Sequence, residues 1–310
     1  MAKPVRTAFV LAGGGSFGAI EVGMLDALLA EGIAPDLVVG ASVGAINGVY
    51  LACDPTVNGI RRLADIWHGL SRQQVFPWSL LRAVLALAGW RDSLLDPAPL
   101  ARLLIRHLPV QRLEQTRIPC AVVATDALRG GEVVLTSGSA VEVLLASAAV
   151  PALFPPVEHR GQFLIDGGVS NNTPISAAVV LGAQRIVVLP TGFSCAAPRP
   201  PSGVIPMVLH AFNLLVARQL AADIERLSHR ADIVVVPPLC PLAFSSYDFR
   251  HGAELIARAT ASTQAWLMTG GLARRGEIPG TLLPHGHSSP DGDRPAISLN
   301  GVGHAEPGRG

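Results

Sequence analysis

Charge is scarce in this 310-residue chain, where Asp, Glu, Lys and Arg make up 15% of residues, against roughly 25% in ordinary soluble domains. The two signs nearly cancel, leaving a formal net charge of +1, so no overall field favours nucleic acid or anionic lipid. That excludes a phosphate-tracking protein, and the 49% hydrophobic content excludes a disordered one. Long apolar runs are missing too, despite a mean hydropathy of +0.41. Residues 80–90 are interrupted by Arg82, and residues 207–222 by His210, Asn213 and Arg218, whereas a spanning helix needs about 20 predominantly apolar residues. The N-terminal apolar stretch at 8–12 is only five residues long, short of the roughly 7–15 of a secretory leader. Cys53, Cys120, Cys195 and Cys240 show no metal or redox spacing. A cytosolic protein with reduced thiols is therefore expected, with no cofactor and no metal.

What is present is a recurrent pattern. Short aliphatic runs at 8–11, 37–39, 121–124, 163–165, 186–189 and 233–236 are bounded by turn residues, and helix-period segments separate most of them. Runs of this kind read as strands buried on both faces, and the alternation predicts a mostly parallel sheet between helices. Ile20, Met24 and Leu28 mark an amphipathic first helix that stops at Gly32. Gly44, Ala45, Gly48 and Ala52 let the helix after the second strand lie close to the sheet. A small hairpin is expected at 131–135, and a proline-rich loop at 192–206. Residues 271–310 hold nine glycines and five prolines. They read as a disordered tail, with His285 and His287 part of it rather than a metal site, so the folded unit is expected to span residues 1–270.

Three constellations carry chemistry. Gly13-Gly14-Gly15-Ser16-Phe17-Gly18 follows the first strand and opens the first helix. Its backbone amides suit an anion, either a phosphate or the oxyanion of acyl transfer. It also satisfies G-x-G-x-x-G, which keeps a nicotinamide-dependent oxidoreductase open as an alternative. The acid that such a fold needs at the end of the second strand is absent, since the strand runs into Gly40. The second constellation, Gly40-Ala41-Ser42-Val43-Gly44, places a serine on a strand-to-helix turn with small flanking residues, the pattern of a nucleophile elbow. The third, Asp166-Gly167-Gly168, puts a carboxylate at a strand end with little steric hindrance; a simple turn closing the strand would read the same way. A nucleophilic serine needs a base. Of the histidines at 68, 107, 159, 210, 229 and 251, His251 is the one retained as a candidate, although no motif surrounds any of them.

Together these motifs resemble the patatin-like phospholipase family, with further similarity in Ser147-Ala148-Ala149-Val150-Pro151, Phe154-Pro155-Pro156 and Asn172…Pro174. The resemblance covers about residues 7–190. It implies a three-layer α/β/α fold and a serine acyl hydrolase of lipase or phospholipase A type. Ser42 would be the nucleophile and Asp166 the general base, with no histidine. The amides of Gly13, Gly14, Gly15, Ser16, Phe17 and Gly18 would form the oxyanion hole, and Gly40, Gly44, Gly167 and Gly168 would serve as motif glycines. Many members carry Arg or Lys where this chain has Phe17, which removes a cationic contribution to holding a phosphate headgroup. The expected partners are a fatty-acyl ester or phospholipid and transient contact with a membrane interface, with no nucleic acid. Trp67, Trp78 and Trp90 lie around Leu80, Leu81, Leu85 and Leu87. Within a lid or cap at about 70–110, residues 76–95 read either as an interfacial helix or as a buried lid. A catalytically idle lipid-binding scaffold is the remaining alternative.

Overall fold

The computed structural model describes residues 7–77, 79, 84–85, 88–196, 199, 201–283 and 285. Eight strands form one mixed sheet: β1 (Thr7–Leu11), β2 (Leu37–Ala41), β3 (Cys120–Asp126), β4 (Glu132–Leu135), β5 (Val157–His159), β6 (Gln162–Asp166), β7 (Arg185–Leu189) and β8 (Asp232–Val235). The order is β5-β6-β3-β2-β1-β7-β8, with β4 also paired to β3. Strands β3, β2, β1, β7 and β8 run parallel, and β4, β5 and β6 join antiparallel. The aliphatic runs thus form the sheet as the sequence implies, except that 163–165 lies in an antiparallel strand with Phe163 exposed, where a strand buried on both faces was expected. β5 was not anticipated, because three residues of the form Val-Glu-His carry too little apolar signal.

Side chains alternate across the sheet and divide between two cores. Phe9, Leu11, Val38, Val122, Val187 and Val234 point to one layer, and Val10, Val39, Val123, Val188 and Val235 to the other. The first layer is thick. It holds α1 (Gly18–Ala30), α2 (Val43–Cys53), α3 (Val57–His68), α4 (Arg72–Val75), α5 (Ala98–His107) and α6 (Ala140–Ser147). After the short α7 (Gly168–Asn171), the thinner layer is built by α8 (Ile175–Val180) and α9 (Val204–Leu227). α10 (Gly252–Met268) returns to the thick side and packs on α1. The result is a three-layer α/β/α fold. No described helix is long and apolar enough to cross a membrane.

Two expectations change. α1 is not amphipathic in its setting, because residues 18–25 are all buried. The α10 helix covers its outer face so closely that a Cβ on Gly23 would strike the Ile256 carbonyl. Its end does follow the sequence: Gly32 takes φ +71, and Gly32 N–H and Ile33 N–H return to the Leu29 and Leu28 carbonyls, a left-handed glycine stop. The chain also stays packed beyond 270. Gly276 N–H bonds the Ile233 carbonyl, Leu282 is buried in the thin-side core, and His285 lies against Cys240. Residues 271–283 are therefore packed on the fold where a tail was expected, because apolar Leu272, Ile278 and Leu282 anchor a segment whose glycine and proline content suggested none. The rest of the expected tail, 284 and 286–310, lies outside the described residues, as do Trp78, Leu80, Leu81 and Leu87 of the tryptophan-rich segment. Trp67 is a core residue and Trp90 is exposed.

Candidate active site

Strand register brings the second and third motifs together. Ala41, the last residue of β2, pairs with Val123, while Asp166, the last residue of β6, pairs with the adjacent Ala124. β2 runs parallel to β3 and β6 antiparallel, so their carboxyl ends converge along β3. Ser42 follows Ala41 directly, and its Oγ donates to Asp166 Oδ2 at 2.7 Å.

The turn that presents Ser42 is strained. Ser42 has φ 52 and ψ −126, one of only three positive-φ non-glycine residues among those described. Such a conformation costs about 1–3 kcal/mol and persists where surrounding contacts over-determine it. Those contacts are visible. A Cβ on Gly40 would collide with the Gly44 carbonyl at 2.5 Å, and one on Gly44 with Ala12 and Leu11 backbone at 2.6 Å. Ser147 Oγ accepts from Ser42 N–H at 2.9 Å and donates to the Val123 carbonyl at 2.6 Å. Gly167 N–H bonds the Ser147 carbonyl at 3.1 Å, and Asp166 N–H the Ala149 carbonyl at 2.9 Å. The Ser147–Ala149 segment thereby ties the serine turn to the aspartate turn.

Asp166 is buried, and burial pushes its pKa up to about 6 against the opposing hydrogen bonds from Ser42 and the Gly168 amide. The Gly168 amide reaches Oδ1 at 2.7 Å. A Cβ on Gly168 would crowd both Asp166 and Asn172, and one on Gly167 would strike the Val123 carbonyl. Tyr247 also lies close enough that the Asp166 charge, added to burial, raises its pKa.

The glycine-rich loop is narrower in its availability than its sequence suggests. Gly13 N–H bonds the Asn172 carbonyl at 3.0 Å, and Gly13 O accepts from Asn172 Nδ2 at 3.2 Å and Thr191 Oγ1 at 2.8 Å. Ser16 N–H is engaged by the Ser246 carbonyl at 2.7 Å, Phe17 N–H by Gly14 O at 3.2 Å, and Gly18 N–H by the turn itself. The amides of Gly14 and Gly15 bond no described residue, and both residues line the cavity at Ser42. Phe17 is packed in the core, away from the cavity lining.

That cavity has a volume of about 380 Å³, with Ser42 and Asp166 in its wall. Phe76, Leu100, Leu104, Phe154, Phe212 and Phe249 give its apolar character, and no described Lys or Arg lines it. Phe76 sits at the centre of an aromatic group, 5.8 Å from Phe154 and Phe249 and 5.5 Å from Tyr247 between ring centroids.

The histidine expectation fails. His251 stacks on Phe244 at 3.7 Å and faces Asp248 and Glu254. His159 pairs with Glu142 at 2.6 Å, and His107 only lines the cavity. Among the described residues no histidine bonds Ser42 or Asp166. Sequence reasoning gave no role to Ser147, Asn172, Thr191, Ser246 or Tyr247. The small-residue run 147–149 and the Asn172 that follows the aspartate glycines were the available signals.

A serine on a strained strand-to-helix turn, a carboxylate in contact with it and two available amides beside it define a class of three-layer α/β/α proteins with a serine–carboxylate site above the sheet. The patatin-like phospholipase family model matches residues 9–179. The chain belongs to that family. It is 28% identical over 188 residues to mouse patatin-like phospholipase domain-containing protein 7, 29% over 187 to human patatin-like phospholipase domain-containing protein 6, and 28% over 185 to the Drosophila neuropathy target esterase sws. These matches cover 59–60% of this chain and 13% of each relative, so the chain corresponds to a small part of those proteins. Similar solved structures include VipD from Legionella pneumophila (15% identity, TM-score 0.45, 88% of this chain and 68% of that one). Human GIVD cytosolic phospholipase A2 is another (12% identity, TM-score 0.43, 87% and 62%).

Proposed function

We propose that this protein is a serine acyl hydrolase that cleaves fatty-acyl esters, in the manner of a lipase or phospholipase A, through Ser42 and Asp166. The observation that carries the reading is the 2.7 Å contact between Ser42 Oγ and Asp166 Oδ2 in the wall of an apolar cavity. Membership of a family named for phospholipases supports the substrate class. The acyl chain would lie in the cavity, where each buried methylene contributes about 0.8 kcal/mol, and residues about 70–110 would act as a cap through Phe76, Leu100 and Leu104. A lining without Lys or Arg suits the neutral acyl portion and leaves any charged headgroup outside.

In the reaction, Ser42 Oγ attacks the ester carbonyl carbon as its proton passes to Asp166. The oxyanion is held by Gly14 and Gly15 N–H, at the amino end of the segment leading into α1. Asp166 returns the proton to the departing alcohol, leaving Ser42 acylated. Water then attacks the acyl carbon while Asp166 takes its proton, and collapse frees the fatty acid and restores the Ser42 hydroxyl. A carboxylate whose pKa is pushed up to about 6 is ionised at neutral pH yet far more basic than a solvated one, as a general base requires.

The exposed Met207, Val208, Leu214 and Leu215 of α9 fit transient contact with a lipid interface, since Val208 also lines the cavity. The oxidoreductase alternative gains nothing, because β2 ends on Ala41 and is followed by Ser42, where an acidic ribose partner would stand. Labelling with a fluorophosphonate probe tests the proposal: wild type should label and Ser42→Ala should not. Failure of folded wild type to label would favour an idle lipid-binding scaffold.

A further inference from the structure

Three segments far apart in sequence bring two thiols and an imidazole together outside the serine site. Cys195 lies in the loop after β7, Cys240 in the loop after β8, and His285 just beyond Leu282. Cys195 Sγ and Cys240 Sγ are 3.8 Å apart, and His285 Nε2 is 3.2 Å from Cys240 Sγ. The candidate donor atoms of all three residues lie within 4.8 Å of one another.

These separations suit a shared ion better than a disulfide. A disulfide requires about 2.05 Å between sulfurs. Two thiolates bound to one zinc at about 2.3 Å across a tetrahedral angle stand about 3.8 Å apart, and a bound imidazole nitrogen sits about 3.5 Å from either sulfur. The surroundings have the features of an outer coordination shell. His285 Nδ1 is 2.7 Å from the Leu283 carbonyl, which places the ring proton on Nδ1 and turns the Nε2 lone pair toward the sulfurs. Leu242 N–H donates to Cys195 Sγ at 3.4 Å, a backbone contact that orients the sulfur. The two loops are fastened to each other by Ala196 N–H to Leu242 O at 2.9 Å and Ser194 Oγ to Phe244 O at 2.5 Å. All three side chains are partly exposed, which leaves an entry path.

We infer that Cys195, Cys240 and His285 form a binding site for a thiophilic d10 metal ion, with zinc(II) as its probe. Binding releases the two thiol protons to solvent and forms two Zn–S bonds and one Zn–N bond. The product, a dication with two thiolates and a neutral imidazole, carries no net charge, which suits a partly buried position. No further described His, Cys, Asp or Glu joins the group. The ion would tie the end of the described chain to the loop that supplies the Ser246 carbonyl to Ser16 N–H and Tyr247 to the cavity. Its role is thus to hold the frame of the serine site, with no part in the chemistry proposed for Ser42.

The test uses the full chain, reduced, stripped with a chelator, given zinc and desalted. One zinc per chain is expected by elemental analysis, and cobalt(II) in its place should give thiolate-to-metal charge-transfer absorption in the near ultraviolet. Cys195→Ser and Cys240→Ser should abolish both signals, His285→Ala should weaken zinc affinity at least about tenfold, and Cys53→Ser should keep the zinc. Failure of folded, reduced wild type to retain zinc, or retention undiminished in Cys240→Ser, would overturn the proposal. Should a cysteine variant not fold by circular dichroism, His285→Ala decides: unchanged zinc affinity there overturns the site. Metal content is the readout, so the outcome is independent of whether the protein hydrolyses esters.

Discussion

Ser147 holds Ser42 by the backbone rather than by the side chain, accepting its N–H at 2.9 Å while donating to the Val123 carbonyl at 2.6 Å. The bond fixes the amide of a residue at φ 52 and leaves Ser42 Oγ free to meet Asp166. Ser147→Ala would strand one buried donor and one buried acceptor, costing about 2 kcal/mol of stability. It would also loosen the strained turn. The expected result is a lower melting temperature and a roughly 10–100-fold fall in kcat. Ser147→Thr, which keeps the hydroxyl, should recover part of the rate. Wild-type turnover in folded Ser147→Ala would show that the turn needs no such support.

Asp166 gives a prediction with two signs. As the proposed general base it must be ionised, so kcat/KM should rise with pH and reach half its plateau near the value of about 6 to which burial pushes this carboxyl. Stability runs the other way. The folded pKa lies above the unfolded one, so the contribution of the neutral carboxyl is present below about pH 4 and is lost as pH rises through about 6. Asp166→Asn keeps an oxygen for the Gly168 amide and removes the buried charge. It should lower activity about 10²–10⁴-fold yet stabilise the fold at pH 8 by on the order of 3 kcal/mol, with no gain at pH 4. Thermal melts at the two pH values, beside a pH–rate profile of wild type, check both halves.

The glycine loop can be divided by substitution. A Cβ on Gly14 would collide with the Thr191 side chain, whose hydroxyl holds the Gly13 carbonyl. Gly14→Ala should therefore displace the loop and remove oxyanion stabilisation, lowering kcat about 10²–10³-fold with a native circular dichroism spectrum. Gly131→Ala, where a Cβ would meet nothing within 4 Å, should behave as wild type. Equal activity of the two variants would refute a role for the Gly14 amide.

Much of this arrangement was legible in the sequence and some was not, for physical reasons. Contiguous aliphatic runs set the buried parallel strands, and Gly44 and Gly48 reported a helix pressed onto the sheet; a Cβ on Gly48 would meet Val38 at 2.9 Å. The order of Ser42 and Asp166 motifs was readable as local pattern. Which amides of the 13–18 loop are available was not, because Asn172 and Ser246 engage Gly13 and Ser16 from more than 150 residues away. His251 looked usable for want of any local mark against it, and only packing shows it stacked on Phe244. The burial of α1 depends on α10, more than 200 residues later. The proposed Cys195–Cys240–His285 site was hidden for the same reason, its members being 45 residues apart at each step.

Interfacial access can be separated from catalysis. Val208 and Leu215 on α9 are 60% and 65% exposed, and Val208 also lines the cavity. Leu214→Glu combined with Leu215→Glu, at exposed α9 positions outside the cavity lining, should reduce hydrolysis of esters presented in vesicles several-fold and reduce vesicle pelleting, since apolar insertion drives such binding. Hydrolysis of a water-soluble short-chain ester should be unchanged within twofold. A parallel loss on both substrates would instead place these residues in the cavity's own packing.

Behind the serine turn, Glu21 of α1 is wholly buried and its Oε2 accepts Asn47 Nδ2 at 2.8 Å, while Asn47 Oδ1 accepts Trp67 Nε1 at 3.0 Å. Three helices, of which α2 and α3 line the cavity, are thus joined by one polar chain. Burial raises the Glu21 pKa well above the ordinary carboxylate value, outweighing the hydrogen bond from Asn47. By the same linkage as for Asp166, the stability contributed by the neutral acid is present below about pH 4.5 and is lost as pH rises through the raised folded value. Glu21→Gln preserves an acceptor for Asn47 and cannot ionise, so its melting temperature should fall less than that of wild type between pH 6 and 9. Glu21→Leu removes the acceptor and leaves Asn47 one hydrogen bond short, costing about 1–3 kcal/mol relative to Glu21→Gln at every pH. A wild-type melting curve as flat with pH as that of Glu21→Gln would mean that the carboxyl is not held neutral, and that the link among α1, α2 and α3 is instead an ionised one.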